Sequence, residues 1–287
     1  MKKISITLLL CFSSLLFAKP IVAVSILPQE TFVKKIAKER VDVITMVQPG
    51  SSPHSYEPKP SQMQALSNAA LYFSIGVEFE EAWLERFRAQ NSALKMIDMN
   101  AKITKIEMKG HHEEKHHKEE THQAHQHDGL DPHTWTSPKN VAIMAKNIYE
   151  ALVALDPQNR LFYQTNLREF LSEIDATNAT IKNLLKESQK KKFMVFHPSW
   201  GYFAQAYNLE QLAVEVNGKE PKPKEMQHII EEAKENGIDT IFTQPEFSKK
   251  RASVIAQETN ARVYTISPLA RDWSQNLIKM ANAIANK

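Results

Sequence analysis

The feature that most constrains the fold is a series of eight short runs of β-branched and aromatic residues, most of them separated by helical patterns. Such runs predict strands buried on both faces, and their alternation with helices is typical of parallel sheets. The predicted strands are residues 21–26, 41–47, 71–75 and 95–98 in the first half, and 193–196, 209–214, 240–243 and 262–266 in the second. We therefore expect an α/β protein of two lobes, each a roughly four-stranded parallel sheet flanked by helices.

Amphipathic patterns between these runs predict the flanking helices, at residues 29–40, 61–69, 79–89, 222–236, 248–259 and 273–286. A longer pattern from residue 156 to 189 lies between the two halves, where Asp156 can cap a helix and Pro157 suits its first position. A helix of that size would be roughly 50 Å long. We expect this one long, rigid helix to pack against both lobes and to limit hinge bending between them.

The first 18 residues have the pattern of a secretory signal peptide. Lys2 and Lys3 precede an apolar stretch at residues 4–17, and Ala18 is a small residue suited to cleavage. The stretch is short for a transmembrane span. Cys11 is the only cysteine and follows three leucines rather than small residues, which disfavours a lipid anchor. Cleavage after Ala18 would leave no thiol, so disulfides and cysteine-based zinc sites are excluded from the exported chain.

Charge and length bound the function and the domain organisation. Removal of Lys2 and Lys3 with no acidic residue lowers the formal net charge from +3 to +1, which argues against a nucleic-acid binder or a polybasic membrane binder. The remaining length suits two domains of ordinary size. We expect a signal peptide at 1–18, an N-terminal lobe at 19–138 with a histidine-rich loop at 109–129, a helical connection at 139–191 and a C-terminal lobe at 192–287.

Seven of the eleven histidines lie within residues 111–127, in a segment with almost no apolar residues. Such a segment cannot bury enough surface to offset the entropy of ordering, so it predicts a mobile loop. Imidazole is a common ligand for zinc, copper and nickel, and the segment therefore indicates metal handling. Residues 112–116 fit the H-E-x-x-H pattern of zinc proteases, but no apolar stripe would seat the required helix, and we interpret the match as compositional chance.

Three further histidines lie where a ligand crevice is expected. His54 follows the second predicted strand, His197 ends the fifth, and His133 lies where the chain leaves the histidine-rich segment. In open α/β sheets the crevice lies beyond the carboxyl ends of the strands, so these three side chains could share a metal site. Each taken singly could instead be an ordinary hydrogen-bonded loop histidine. His228 falls in mid-helix among Glu and Lys, and we expect it to be solvated.

Four motifs in this order resemble the signatures of the periplasmic zinc-binding proteins of ABC importers. They are PGSSPHSYEP at residues 49–58, DPHTW at 131–135, FHPSWGYF at 196–203 and GKEP at 218–221. The resemblance covers essentially the whole exported chain. It implies two α/β lobes joined by one long helix, little hinge motion, and a metal between the lobes. The family's three histidine ligands carry over, motif by motif, onto His54, His133 and His197.

One departure from the family concerns the fourth ligand. Many relatives have an aspartate in a D-P-L segment after the last strand, whereas this chain has Ser267 there. A serine hydroxyl is a poor metal ligand, so water, another carboxylate or a loop histidine could fill the position. Asp272 is near in sequence, but it precedes a predicted helix and we expect it to cap that helix.

Three imidazoles without a thiolate suit Zn²⁺, while manganese prefers more oxygen ligands; copper and nickel also favour imidazole. Metal capture should weaken below about pH 6 as imidazoles protonate. The resemblance implies a non-enzymatic, monomeric periplasmic protein that delivers zinc to an ABC permease in the inner membrane, with a periplasmic zinc chaperone as a further candidate partner. The alternatives are a zinc-dependent hydrolase that uses the three-histidine site and a metal-dependent surface adhesin.

Neighbours of the three histidines have two interpretations each. Four aromatic residues flank them in sequence and could shield a metal from water or could be ordinary core residues; they are Tyr56, Trp135, Trp200 and Tyr202. Asp131 could orient an imidazole as a hydrogen-bond acceptor or could cap the local turn.

Overall fold

Two four-stranded parallel sheets form the framework of the computed structural model, which describes residues 19–108, 129–216, 218–245 and 249–285. The first sheet has the order β2-β1-β3-β4 and the second the order β6-β5-β7-β8. The strands are β1 (Ile21–Val24), β2 (Asp42–Thr45), β3 (Ala69–Ser74), β4 (Lys95–Asp98), β5 (Lys192–Val195), β6 (Glu210–Ala213), β7 (Thr240–Thr243) and β8 (Arg262–Thr265). All eight predicted strands are confirmed. The predicted signal peptide at 1–18 and residues 109–128 of the predicted histidine-rich loop lie outside the described residues.

Helices connect and cover the strands. They are α1 (Leu27–Ala37), α2 (Pro60–Leu66), α3 (Glu78–Gln90), α4 (Pro138–Leu155), α5 (Arg160–Leu185), α6 (Gly201–Ala206), α7 (Pro223–Glu235), α8 (Lys249–Thr259) and α9 (Trp273–Ala285). Proline stands in the first turn of α1, α2, α4 and α7, where its fixed φ suits a helix start and its missing N–H is not needed. Within the described residues, no helix combines the length and the apolar character needed to cross a membrane.

The long helix between the lobes is present as predicted, but it is shorter than predicted. α5 has 26 residues, which gives a length of roughly 39 Å rather than roughly 50 Å. It begins late because Pro157–Asn159 form a separate 3₁₀ turn. The Asp156 carboxylate does not cap a helix; it accepts hydrogen bonds from Asn159 Nδ2 at 2.6 Å and Tyr163 OH at 2.8 Å. α5 packs against α1, α4 and α9.

The matching strand orders place a crevice at corresponding positions in both lobes. In each sheet the chain passes from a central strand to one neighbour and then returns to the other side, so the order reverses between β1 and β3 and between β5 and β7. Ligands bind beyond the carboxyl ends of the strands at such reversal points.

Buried polar contacts between sequence-distant segments hold the lobes together. Trp135 donates its indole N–H to the carbonyl of Pro268 at 2.8 Å, and the indole of Trp273 donates to the carbonyl of Trp135 at 2.7 Å. The Tyr202 hydroxyl donates to the carbonyl of Asp131 at 2.9 Å. Breaking such buried bonds without replacement is costly, so they oppose separation of the lobes.

Candidate metal centre

His197 lies at the carboxyl end of β5, beside the end of β6. The parallel register pairs Val195 with Ala213, and the same register continued by two residues aligns His197 with Glu215. Both side chains are buried, and the Nδ1 atom of His197 lies 2.7 Å from the Glu215 carboxylate. The register thus explains why a histidine and a glutamate 18 residues apart meet.

His133 lies in the short turn that precedes α4. Asp131 holds this turn, because its Oδ1 atom accepts hydrogen bonds from the backbone N–H and from Nδ1 of His133, each at 2.8 Å. The His133 side chain is 8% exposed. Asp131 therefore both orients the imidazole and closes the turn, so the two interpretations of this residue hold together.

His54 lies in the loop between β2 and α2 and is the most accessible of the three imidazoles. Its side chain is 33% exposed, and its Nδ1 atom contacts the carboxylate of Glu78 in the first turn of α3. Each of the three histidines therefore has a carboxylate on Nδ1. With neutral imidazoles, this pairing fixes the proton on Nδ1 and makes Nε2 the atom with a lone pair for a metal.

The three imidazoles lie side by side around His197. Its ring centroid is 4.9 Å from that of His54 and 5.4 Å from that of His133. Imidazoles bound to one tetrahedral zinc ion at the usual Zn–N distance have ring centroids about 5 Å apart. However, no three His, Cys, Asp or Glu side chains of the described residues already form a closed metal-binding group. Binding a metal therefore requires the rings to close around it.

The imidazoles line a small cavity between the two lobes. Its volume is about 30 Å³, and Val77, Trp135 and Pro268 supply much of its apolar wall. Small-molecule pockets are typically at least ten times larger. The space therefore suits a single ion better than an organic solute.

Burial and nearby charges shift the pKa values of two of the imidazoles in opposite directions. Burial lowers the pKa of His197; the hydrogen bond that its Nδ1–H donates to Glu215 opposes this only in part, and nearby His133 lowers the pKa further. For His54, partial burial acts to lower the pKa, but the Glu78 carboxylate outweighs it and the pKa is raised. His197 is thus held as the neutral ligand form, while His54 at the mouth takes up a proton more readily.

The remaining sequence candidates lie away from the cavity. His228 is exposed on α7, as predicted. Asp272 is exposed and accepts a hydrogen bond from the backbone N–H of Gln275 at 3.4 Å, which confirms its capping position at α9. The Ser267 hydroxyl accepts a bond from the backbone N–H of Leu269 at 3.1 Å and does not line the cavity.

The four aromatic residues near the histidines divide into two groups. Trp135 lines the cavity, and its ring centroid is 5.3 Å from that of His133. Trp200 and Tyr202 are buried without lining it, and Tyr56 packs against Phe79 at 5.9 Å. Only Trp135 is therefore placed to shield the cavity from water; the other three are core or packing residues.

Three residues of this centre were not predicted from the sequence: Glu78, Glu215 and Gln244. Gln244 directly follows β7, Glu215 lies two residues after β6, and Glu78 follows β3 after a short turn. The argument that singled out His54 and His197 by their place after strands would have found these residues too, had it been applied to oxygen donors as well as to histidines.

Known proteins match this chain over most of its length. The family model described as the periplasmic zinc-uptake complex component A (ZnuA) matches residues 22–287. The high-affinity zinc uptake system protein ZnuA of Bacillus subtilis (strain 168) is 29% identical over 244 residues, which cover 84% of this chain and 76% of that protein. The manganese ABC transporter substrate-binding lipoprotein PsaA of Streptococcus mitis is 26% identical over 243 residues, covering 80% and 74%.

A solved structure gives the same result for the fold. A crystal structure of ZnuA superposes with a TM-score of 0.84 at 41% identity, and the match covers 94% of this chain and 99% of that chain. The paired lobes, the long helix between them and the sequence similarity agree with one another. The chain therefore belongs to the ZnuA family of periplasmic zinc-uptake components, and is a metal-binding protein of the kind that serves ABC metal transporters.

Proposed function

We propose that this protein captures Zn²⁺ in the periplasm through His54, His133 and His197 and delivers it to an ABC permease in the inner membrane. The observation that carries the proposal is the group of three adjoining imidazoles, each with a carboxylate on Nδ1, around a cavity of about 30 Å³. A set of histidine nitrogen ligands without a cysteine thiolate is common in zinc sites.

The donor chemistry supports zinc rather than manganese as the cargo. One relative is named for zinc uptake and another for manganese transport, so family membership leaves the metal open. Manganese prefers oxygen ligands, whereas imidazole suits zinc. In this chain Ser267 stands where many relatives have an aspartate, which removes a charged oxygen from the candidate site.

Exposure of the three histidines suggests the order of capture. A metal ion arriving from solvent meets His54 first, because this imidazole lies at the mouth of the cavity and the other two are buried. His54 then moves with the bound ion toward His133 and His197, whose carboxylate partners hold the rings in place. Protonation of His54 reverses the first step, so acidification favours release.

Delivery must work with little movement of the lobes. α5 packs along both halves and the buried Trp135, Trp273 and Tyr202 bonds join distant segments. We infer that the permease recognises local changes around the closing imidazoles rather than a large hinge motion. A periplasmic zinc chaperone is a further candidate partner, and the protein acts as a monomer in this scheme.

The histidine-rich segment at 111–127 is proposed to collect zinc at several weak sites and to raise its concentration near the cavity. A hydrolytic use of the metal is less well supported, because it needs a general base beside a metal-bound water. The carboxylates nearest the imidazoles, those of Glu78, Asp131 and Glu215, are engaged by Nδ1 atoms.

A competition titration against a chelator of known zinc affinity tests the proposal. We expect wild type and a variant lacking residues 111–127 to retain one tight zinc equivalent, which His197→Ala loses. His228→Ala is the matched control, because it removes an exposed histidine on α7 and should leave the tight equivalent unchanged. Tight binding that disappeared with the loop and survived His197→Ala would contradict the proposal and would identify the protein as a zinc buffer or sensor.

A further inference from the structure

Gln244 lies beside His197 at the point where the strand order of the second sheet reverses. The register pairs Val195 of β5 with Phe242 of β7, and the backbone N–H of Phe196 donates to the carbonyl of Phe242 at 2.9 Å. The same register continued by two residues aligns Gln244 with His197. Aligned residues on neighbouring parallel strands project to the same face, about 5 Å apart. Gln244 and the three imidazoles line the same cavity.

Hydrogen bonds on the far side of the Gln244 amide fix its orientation. Its Nε2 atom donates to the hydroxyl of Ser199 at 2.5 Å, and that hydroxyl donates to the carbonyl of His197 at 3.4 Å. Ser199 accepts the hydrogen bond from Nε2, so the N–H end of the amide points to Ser199. The carbonyl end of the amide is left facing the cavity.

The Gln244 carbonyl oxygen has no hydrogen-bond partner among the described residues, although the side chain is only 4% exposed. A buried polar atom of this kind is rare and needs an explanation. A cation in the cavity supplies one, because an amide oxygen is a neutral donor for divalent metals.

Other oxygen donors near the imidazoles are engaged or lie outside the cavity lining. Glu78, Asp131 and Glu215 contact Nδ1 atoms of the three histidines. The second oxygen of Asp131, Oδ2, has no hydrogen-bond partner among the described residues, but Asp131 does not line the cavity. Ser267 accepts a backbone bond and does not line the cavity. Among the described residues that line it, Gln244 thus combines burial, a fixed orientation and an oxygen without a partner.

We propose that Oε1 of Gln244 is the fourth metal ligand and makes the site selective for zinc over manganese; this rests on the proposed function. Three neutral imidazoles and a neutral amide supply one oxygen and no negative charge. Zinc keeps most of its affinity from the nitrogen ligands, whereas manganese prefers carboxylate oxygens and is disfavoured.

Two substitutions at Gln244 distinguish the effect of its oxygen donor from the effect of its side-chain size. Gln244→Met keeps a similar length but removes the donor, and Gln244→Glu replaces the neutral oxygen by a charged one. Gln227→Met, at an exposed position of α7, is the matched control. Zinc and manganese affinities of the full chain are measured by competition at one equivalent of metal or less, so that the tightest site fills first. Cobalt(II) absorption reports the ligand set of the same site.

We expect Gln244→Met to weaken zinc binding about tenfold and to change the cobalt spectrum. Gln244→Glu should strengthen manganese binding more than zinc binding and so narrow the selectivity. Gln227→Met should match wild type in every measurement.

Wild-type zinc affinity and an unchanged cobalt spectrum in Gln244→Met would overturn the inference. If Gln244→Met does not fold, Gln244→Glu decides, and unchanged or increased preference for zinc overturns the inference. His197→Ala distinguishes failure of the fourth-ligand proposal from failure of the three-histidine site. If His197→Ala loses tight binding while Gln244→Met keeps it, only the fourth ligand is refuted. If His197→Ala retains tight binding, the three-histidine site itself is refuted.

Discussion

At the scale of single residues, the central feature is the pairing of each candidate ligand with a carboxylate. Glu78, Asp131 and Glu215 contact Nδ1 of His54, His133 and His197 in turn. Such partners fix the tautomer and ring orientation of metal-binding imidazoles and raise their basicity. They also place negative charge around a cavity that would otherwise hold a divalent cation among neutral ligands.

Glu215→Gln tests the value of this charge at the buried His197–Glu215 pair. The amide can still accept a hydrogen bond from His197 but lacks the charge, so we expect zinc affinity to fall about tenfold while the fold is retained. Competition titration measures the change. Glu231→Gln, an exposed change of the same type on α7, is the control. Equal zinc affinities for the two variants would show that the Glu215 charge does not support binding.

The residue-level prediction from the sequence was limited by what a one-dimensional pattern contains. The three histidines stand out because each lies in a loop or at a strand end. Their carboxylate partners Glu78 and Glu215 also follow strands, but which histidine each one meets could not be predicted, because His197 and Glu215 meet only through the register of two strands that are separated in sequence by α6. The proposed role of Gln244 depends in the same way on the register of β5 and β7.

At the scale of elements, a buried carboxylate ties the start of α3 to the ends of two strands. Glu80 is 3% exposed and accepts hydrogen bonds from the backbone N–H groups of Ile75 and Gly76, both at 2.8 Å, and from the Ser25 hydroxyl. Burial raises the pKa of Glu80 to about 7, with these donors opposing the shift and Asp98 adding to it. The carboxyl is therefore neutral in the fold at a pH where it would be charged in the unfolded chain.

This shift makes part of the stability dependent on pH. The folded pKa lies above the unfolded value of 4.5, so the stabilisation is complete below about pH 4.5 and is lost as the pH rises toward about 7. Full loss corresponds to roughly 3 kcal/mol. In the metal-free wild-type protein, we expect the unfolding free energy to fall between about pH 5 and about pH 8. In Glu80→Gln this fall should be smaller, because the titrating carboxyl is absent. Denaturant unfolding at both values measures it, and parallel pH profiles for wild type and variant would contradict the assignment.

The elements themselves were largely predictable, because continuous apolar runs and helical spacing report burial directly. The start of α5 was wrong for a local reason. Pro157–Asn159 form a separate 3₁₀ turn, and the Asp156 carboxylate accepts hydrogen bonds from the side chains of Asn159 and Tyr163 rather than from the backbone N–H groups of a helix. α4 was predicted only as an unspecified part of the helical connection at 139–191.

At the scale of the whole molecule, the structure favours rigidity. α5 packs against α1, α4 and α9, and the Trp135–Pro268 and Trp273–Trp135 bonds connect segments more than 130 residues apart. The family resemblance had implied little hinge motion. The specific contacts could not be predicted, because they depend on how the lobes meet rather than on any local pattern.

Spin labels on the two lobes test this rigidity. Gln90→Cys on α3 and Gln257→Cys on α8 are exposed sites, and Cys11 is the only native cysteine. We expect the label-to-label distance in metal-free and zinc-loaded protein to agree within about 1 Å, as in other pre-organised binding sites. A shift of several ångströms on zinc addition would indicate hinge closure and would contradict the account of delivery.

The most direct measurement of the central claim is a crystal structure of the zinc-loaded protein with anomalous data at the zinc edge. The account predicts one strong peak between the lobes, at about 2.0–2.1 Å from Nε2 of His54, His133 and His197, with Nδ1 of each imidazole still bonded to its carboxylate. A strong zinc peak elsewhere, with none among these three imidazoles, would contradict it.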